Sequence, residues 1–274
     1  MELNKKYEML KDRLREYGRV LIAYSGGVDS TFLLKAALDV LGKDNVLAVT
    51  ARSSTYPERE LEFAENTAKI LGATHIVIES EELDIEEFVE NPLNRCYFCK
   101  RELFTKLRDI AEKRGIFHIL DGSNSDDLSD FRPGMKALSE LGIRSPLMEC
   151  GLTKAEIRSL SQILGLPTWN KPSFACLSSR FPYGHRIDRD RLKMIDRAEQ
   201  YLLDHGFREV RVRVYDKMAR IEVNRDEIKR FLEDGLREDV VNKFKEIGFV
   251  HISLDLEGYR TGSMNEGLEG DVNG

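Results

Sequence analysis

No apolar run in the 274-residue sequence approaches the roughly 20 residues needed to span a bilayer, so no membrane partner is expected. The stretch from Met1 to Gly18 is amphipathic and charged, without the apolar middle of a signal peptide, and reads as part of a cytoplasmic protein. A basic excess is lacking too: 42 Lys and Arg stand against 48 Asp and Glu, a net charge of −6. General nucleic-acid binders are more often basic, so no nucleic-acid partner is expected. Cysteine is scarce, and in a reducing compartment its four copies favour metal or thiol chemistry over structural disulfides. There is no internal repeat, no Walker A lysine loop and no G-x-G-x-x-G motif.

Apolar runs alternate with helical patterns through the first two thirds. "RVLIAYS" (19–25), "NVLAVTA" (45–51), "THIVIES" (74–80) and "IFHILDGS" (116–123) read as buried strands. Helices are expected over 30–42, 57–72, about 97–114 and 152–165, several of them closed by glycine. That rhythm implies an α/β fold, a parallel sheet covered on both faces, with ligands beyond the carboxyl ends of its strands. After about residue 182 the pattern changes to a long helix (188–206), a hairpin centred on "YDKM" and a final strand "FVHISLDL" (249–256). Two domains are therefore expected, at 1–182 and 183–262, with a mobile Gly-rich acidic tail at 263–274.

"AYSGGVDST" joins the first strand to the first helix. Gly26 and Gly27 remove side chains where a phosphate must come close, Ser25 and Ser30 supply hydroxyls, and the helix start aims free N–H groups at the loop. Asp29, with Asp126 or Asp127 after the fourth strand, offers oxygen ligands for magnesium. The run Ser25–Ser30 resembles the PP-loop S-G-G-x-D-S of ATP pyrophosphatases, which split ATP between its α- and β-phosphates.

Cys96 and Cys99 form a Cys-x-x-Cys at a helix start. By themselves they fit a redox pair, half of a metal site or two buried apolar residues. Cys150, just before a helix, reads as incidental. In the hairpin, Arg211 and Arg213 share one face of a strand. Two forks side by side suit carboxylates and a phosphate, while a solvated outer face is the plainer reading.

Together "NPLNRCYFCK", "DGSNSDD", "FRPG", "SPLMECGLTKAEIR", "KPSFACLSSRFPYG" and "DLEGYRTGSMN" resemble the LarE family of ATP-dependent sulfur transferases, from about Val20 to Asn265. The resemblance implies a Rossmann-like PP-loop domain with a smaller α+β domain for substrate and oligomer contacts. It implies adenylation of the carboxylates of pyridinium-3,5-biscarboxylic acid mononucleotide and their conversion to thiocarboxylates, with ATP, Mg²⁺, a sulfide source and a homo-oligomeric state. Cys176 matches the family's sulfur-donor position, and Cys96, Cys99 and Cys176 match the three ligands of its [4Fe-4S] type. Arg180, Arg211 and Arg213 match its substrate end. Alternatives are Cys176 as a sacrificial donor, or a PP-loop tRNA thiolation enzyme.

Overall fold

The computed structural model describes residues 2–129, 133–172, 175–233, 235–260 and 262–263. The tail expected at 263–274 lies, beyond Ser263, outside the described residues, as do Phe131 and Arg132 of "FRPG" and Ser173 and Phe174 before the cysteine. The chain packs as two units, 1–88 with 93–174, and 89–92 with 175–274. The division expected after residue 182 thus falls inside the second unit, and Cys176 and Arg180 belong to that unit.

The first unit holds α1 (Glu2–Tyr17), β1 (Val20–Ala23), α2 (Val28–Leu41), β2 (Val46–Arg52), α3 (Glu58–Ile70) and β3 (Thr74–Glu79). The short α4 (Glu86–Val89) runs to the junction, and α5 (Arg95–Lys113), β4 (His118–Leu120), α6 (Pro133–Glu140), α7 (Pro146–Glu149) and α8 (Lys154–Ile163) follow. The four strands are parallel in the order β3-β2-β1-β4. Alternate residues of β1 enter two cores. Val20 and Ile22 pack with Leu33, Ala37 and Ile157 on one face, and Leu21 packs with Phe104, Leu107 and Leu138 on the other. Burial on both faces is why the strands read as continuous apolar runs. The strand read at 116–123 is shorter, because after Leu120 the chain leaves the ladder to form a polar loop; Arg144 alone adds a parallel bridge there.

Because β2 and β3 lie to one side of β1 and β4 to the other, the order in which strands are added reverses between β1 and β4, the two remaining parallel. Such a switch point, beyond the carboxyl ends of the strands, is the usual ligand position in open α/β sheets.

The second unit contains α9 (Arg189–Asp204), β5 (Val210–Tyr215), β6 (Met218–Val223), α10 (Leu236–Ile247) and β7 (His251–Leu254). β5 and β6 form the expected antiparallel hairpin, turning at Asp216, whose φ is 53°. β7 adds parallel to β6, a mixed three-stranded sheet. Asp188 caps α9 by accepting from the Arg191 amide. Among the described residues no helix is long and apolar enough to cross a membrane.

Candidate functional site

Two centres stand out, one in each unit. In the first unit, the loop after β1 turns at Gly26, whose φ is 62°, a region unfavourable for residues with a Cβ. A Cβ there would also lie 2.8 Å from the Ala64 Cβ and 2.9 Å from its Cα, so α3 closes against a bare backbone. From the other side Gly122, just after β4, passes so near that a Cβ would stand 3.1 Å from the Ser30 amide nitrogen. The two strands flanking the switch point therefore both deliver glycine at the start of α2. Ser25 and Ser30 meet through their hydroxyls at 3.1 Å. None of the described residues accepts from the amide N–H of Gly26 or Gly27. Free donors beside a helix N-terminus form an anion cradle.

Asp29 stands in the first turn of α2. One carboxylate oxygen, Oδ2, takes a hydrogen bond from the Lys154 ammonium; the other, Oδ1, is buried with no partner among the described residues. Burial raises its pKa above the ordinary carboxylate range, opposed by the Lys154 charge. An orphaned, buried carboxylate oxygen beside an anion cradle is suited to a hard cation. Asp126 serves nearby in another way: its Oδ2 accepts from the Lys154 amide at 2.9 Å, at the start of α8. Thr153 and Glu156 add a capping box to the same helix end, fixing where Lys154 emerges. The sequence reading missed Lys154. Its signal was there, a lysine directly after the cap in "LTKAEIR".

Cys96 stands in the first turn of α5 and Cys99 opens the second, the former exposed and the latter half-buried. The adjoining Lys100 turns inward: its stem packs at the Gly134 position and its ammonium lies 3.6 Å from Asp121, at the end of β4. Cys150 is buried, and burial pushes its thiol pKa up, in keeping with an inert role. None of the four cysteines is in a disulfide.

In the second unit, the Cys176 Sγ lies 2.8 Å from the hydroxyl of Ser178, which is fully buried. The loop that carries it is gripped by arginines. Arg180, 0% exposed, makes a bidentate pair with Glu199 of α9 at 2.7 and 3.0 Å. Its remaining fork donates to the carbonyls of Ala175 and Cys176 at 2.9 and 3.3 Å. Burial works against the Glu199 charge, yet the Arg180 guanidinium holds its carboxyl below the ordinary range. Arg213 makes a second bidentate pair, with Glu222 of β6, and donates to the Ser179 carbonyl at 2.8 Å. Arg211 stacks 4.6 Å from the Tyr259 ring centre. Burial, then the neighbouring Arg180 charge, pushes its pKa down.

The plainer reading of Arg211 and Arg213, a solvated outer face, is overturned: they are 6% and 5% exposed. Two buried guanidiniums, those of Arg180 and Arg213, thus hold the cysteine loop, each paired with a buried carboxylate, and Arg211 lies buried near Arg180. Glu199 and Glu222 were missed in sequence although both carried a signal. Glu199 falls among Leu192, Ile195, Ala198 and Leu202 on the apolar face of α9, and Glu222 falls opposite Arg211 in the hairpin register. Cys96 and Cys99 belong to the first unit and Cys176 to the second.

Residues 2–111 match the family model described as NAD synthase. With the parallel sheet and the loop geometry above, this makes the chain an ATP-dependent enzyme of the PP-loop class. Full-length relatives narrow it. The chain is 41% identical to the pyridinium-3,5-bisthiocarboxylic acid mononucleotide synthase of Lactiplantibacillus plantarum over 93% of this chain and 92% of that one. It is 46% identical to the uncharacterised protein slr1717 of Synechocystis sp., over 97% and 99% of the two chains. An uncharacterised protein of Methanocaldococcus jannaschii, MJ0830, is 31% identical over 94% and 98%. The chain belongs to the LarE family of PP-loop ATP pyrophosphatases.

Proposed function

We propose that the protein adenylates the carboxylates of pyridinium-3,5-biscarboxylic acid mononucleotide and replaces an oxygen of each by sulfur, a step in making a nickel-pincer nucleotide. The observation that carries the reading is the pairing on one chain of an anion cradle holding an orphaned carboxylate with a cysteine loop held by the buried guanidiniums of Arg180 and Arg213. The near full-length likeness to the Lactiplantibacillus plantarum synthase supports the choice of substrate.

In the first step a substrate carboxylate oxygen attacks the α-phosphorus of ATP and the bond to the β-phosphate oxygen breaks. Pyrophosphate leaves, and the N–H groups of Gly26 and Gly27 with the start of α2 hold the negative charge that develops on it. Asp29 would hold magnesium through Oδ1, and Lys154 keeps Oδ2 oriented. Asp126 contributes by setting the start of α8 rather than by presenting a free carboxylate. In the second step a sulfur nucleophile attacks the acyl carbon and AMP departs, leaving a thiocarboxylate. Arg211 would favour an anionic substrate by charge, while Arg213, bidentate to Glu222 and bound to the Ser179 carbonyl, would hold the cysteine loop. Arg180 is occupied with Glu199 and the Cys176 carbonyl, so in this reading it positions the cysteine instead of touching substrate.

The sulfur would be delivered through a [4Fe-4S] cluster held by Cys96, Cys99 and Cys176. The donor set suits such a group: three thiols, each at least partly accessible, two of them one turn apart at the start of a helix, where the terminal amide donors offset thiolate charge at Cys96. Bound there, a cluster with three protein ligands supplies an open iron that keeps a sulfide deprotonated. The second source is Cys176 itself, favoured by the Ser178 hydroxyl at its sulfur. After transfer, loss of the α-proton and cleavage of the Cβ–Sγ bond would leave dehydroalanine.

Iron and acid-labile sulfide, assayed on protein prepared without oxygen, separate the two. About four irons per chain, lost in each of the Cys96→Ser, Cys99→Ser and Cys176→Ser variants, supports the cluster. No iron after anaerobic reconstitution overturns it. A one-turnover loss of H₂S from the protein mass then identifies Cys176 as donor.

A further inference from the structure

The cradle has a back as well as a front. A trans peptide points its carbonyl and the next residue's N–H in opposite directions, so whatever grips the carbonyl aims the amide. Two carbonyls of the loop are gripped. The Tyr56 hydroxyl donates to the Ser25 carbonyl at 2.7 Å, and the Lys171 ammonium donates to the Gly26 carbonyl at 3.3 Å. Those peptides carry the N–H groups of Gly26 and Gly27, the two amides with no acceptor among the described residues.

Neither gripping side chain is loose. Burial drives the Tyr56 phenol pKa well above its ordinary value, so it remains a donor at any working pH. Its hydroxyl also reaches the Glu60 carbonyl at 3.3 Å. The Lys171 ammonium pairs with the Glu60 carboxylate at 2.8 Å and lies 3.7 Å from the centre of the Phe63 ring. Its own backbone is pinned by Arg158 of α8, whose guanidinium donates to the carbonyls of Trp169 and Lys171, both at 2.8 Å. Tyr56, just before α3, and Lys171, on the segment that Arg158 of α8 pins, thus converge on the glycine carbonyls, with Glu60 of α3 touching both. An ammonium with a carboxylate partner, an aromatic face and a clamped backbone, all directed at a glycine carbonyl, is a larger arrangement than a tight turn needs.

We propose that Tyr56 and Lys171 are positioning residues of the pyrophosphate loop: by holding the Ser25 and Gly26 carbonyls they fix the Gly26 and Gly27 amides toward the departing pyrophosphate. The inference rests on reading that loop as a pyrophosphate cradle. Without the grip either peptide plane can rotate, turning a carbonyl dipole toward the anion. Lys171 adds positive charge behind a loop that must bind a multiply charged group, so its loss is expected to matter more than that of Tyr56.

The test uses the full-length protein with inorganic pyrophosphate and magnesium in titration calorimetry, beside ATP–pyrophosphate exchange kinetics and thermal unfolding. Tyr56→Phe keeps the ring and removes only the hydroxyl; Lys171→Met keeps most of the stem and removes the charge. Each variant is expected to bind pyrophosphate about tenfold more weakly or worse, the scale of one lost hydrogen bond to a charged system. The turnover number for exchange should fall with it, since the amides act most strongly as charge develops, while KM for ATP moves less. Lys171→Arg should restore much of the affinity, which a role in packing alone does not predict. Unchanged pyrophosphate affinity and exchange in both Tyr56→Phe and Lys171→Met overturns the inference while leaving the cradle intact. No pyrophosphate binding by the unaltered protein overturns the cradle and the inference together.

Discussion

Asp29 faces two requirements that pull apart, a buried position and a negative charge. Its Oδ2 is satisfied by Lys154, and its Oδ1 is left for a cation. Asp29→Asn is predicted to lower ATP–pyrophosphate exchange about 10²–10³-fold, the scale of losing one preorganised charge-stabilising group. The melting temperature should change little, because the amide relieves a buried charge. Glu199 differs: it is fully enclosed and bound to Arg180. Glu199→Ala leaves a guanidinium buried without its partner and is expected to destabilise by about 3–5 kcal/mol in urea unfolding. It should also loosen the Cys176 loop, seen as faster alkylation of that thiol. At this scale the sequence was informative where a motif names the residue, as at Ser25–Ser30. It was less so where a role depends on a partner far along the chain. Nothing in "WNKPS" says that Lys171 lies against Gly26, 145 residues away.

The loop after β1 shows how an element specifies a site. Gly26→Ala combines an unfavourable left-handed backbone, about 1–2 kcal/mol, with a Cβ pressed against the Ala64 Cβ and Cα on α3. Gly27 has a φ of −77°, and its Cβ would meet only the Ser25 Oγ, at 3.3 Å. Gly26→Ala should therefore abolish exchange while Gly27→Ala weakens it, a ranking that parallel assays at saturating ATP check directly. The cap of α8 gives a milder prediction. Thr153→Ala removes a capping box and should cost about 1 kcal/mol in unfolding free energy, with some loss of exchange because Lys154 is the next residue. Strands and helices were legible because their periods are written in neighbouring residues: β1, β2, β3 and the hairpin fall where the apolar patterns place them. β4 was read too long because "LDGS" continues an apolar-looking run, whereas Asp121 is needed to accept from Ser123 and Ser145. The short helices α6 and α7 carry too few turns for a pattern to emerge.

For the whole molecule, buried titratable groups set the pH range of stability. Burial lowers the His75 pKa below its ordinary 6.5, so its contribution is present above 6.5 and lost as pH falls through the folded value. Glu199, held below 4.5, adds a second loss in stronger acid, from 4.5 downward. Burial raises Tyr24 to about 12 from 10.0, so its contribution is complete below 10.0 and lost as pH rises through about 12. Melting temperature against pH should form a plateau between about 6.5 and 9, falling on the acid side with His75 and on the alkaline side first with the buried Cys150 thiol, raised above 9.0, and then with Tyr24. His75→Gln should flatten the first acid step. A change of pattern along the chain gave the expectation of two domains, and the chain packs as two units. The place where the chain divides was not legible in that pattern, since residues 89–92 join the second unit from far upstream.

The central claim is sulfur insertion driven by cleavage of ATP to AMP and pyrophosphate. Its most direct measurement is mass spectrometry of anaerobic reactions containing the protein, ATP, magnesium, sulfide and pyridinium-3,5-biscarboxylic acid mononucleotide. The account predicts one AMP and one pyrophosphate for each oxygen exchanged for sulfur in the mononucleotide, and neither product with Asp29→Asn over the same interval. ATP consumed without any thiocarboxylate, or a thiocarboxylate formed without AMP, would contradict it.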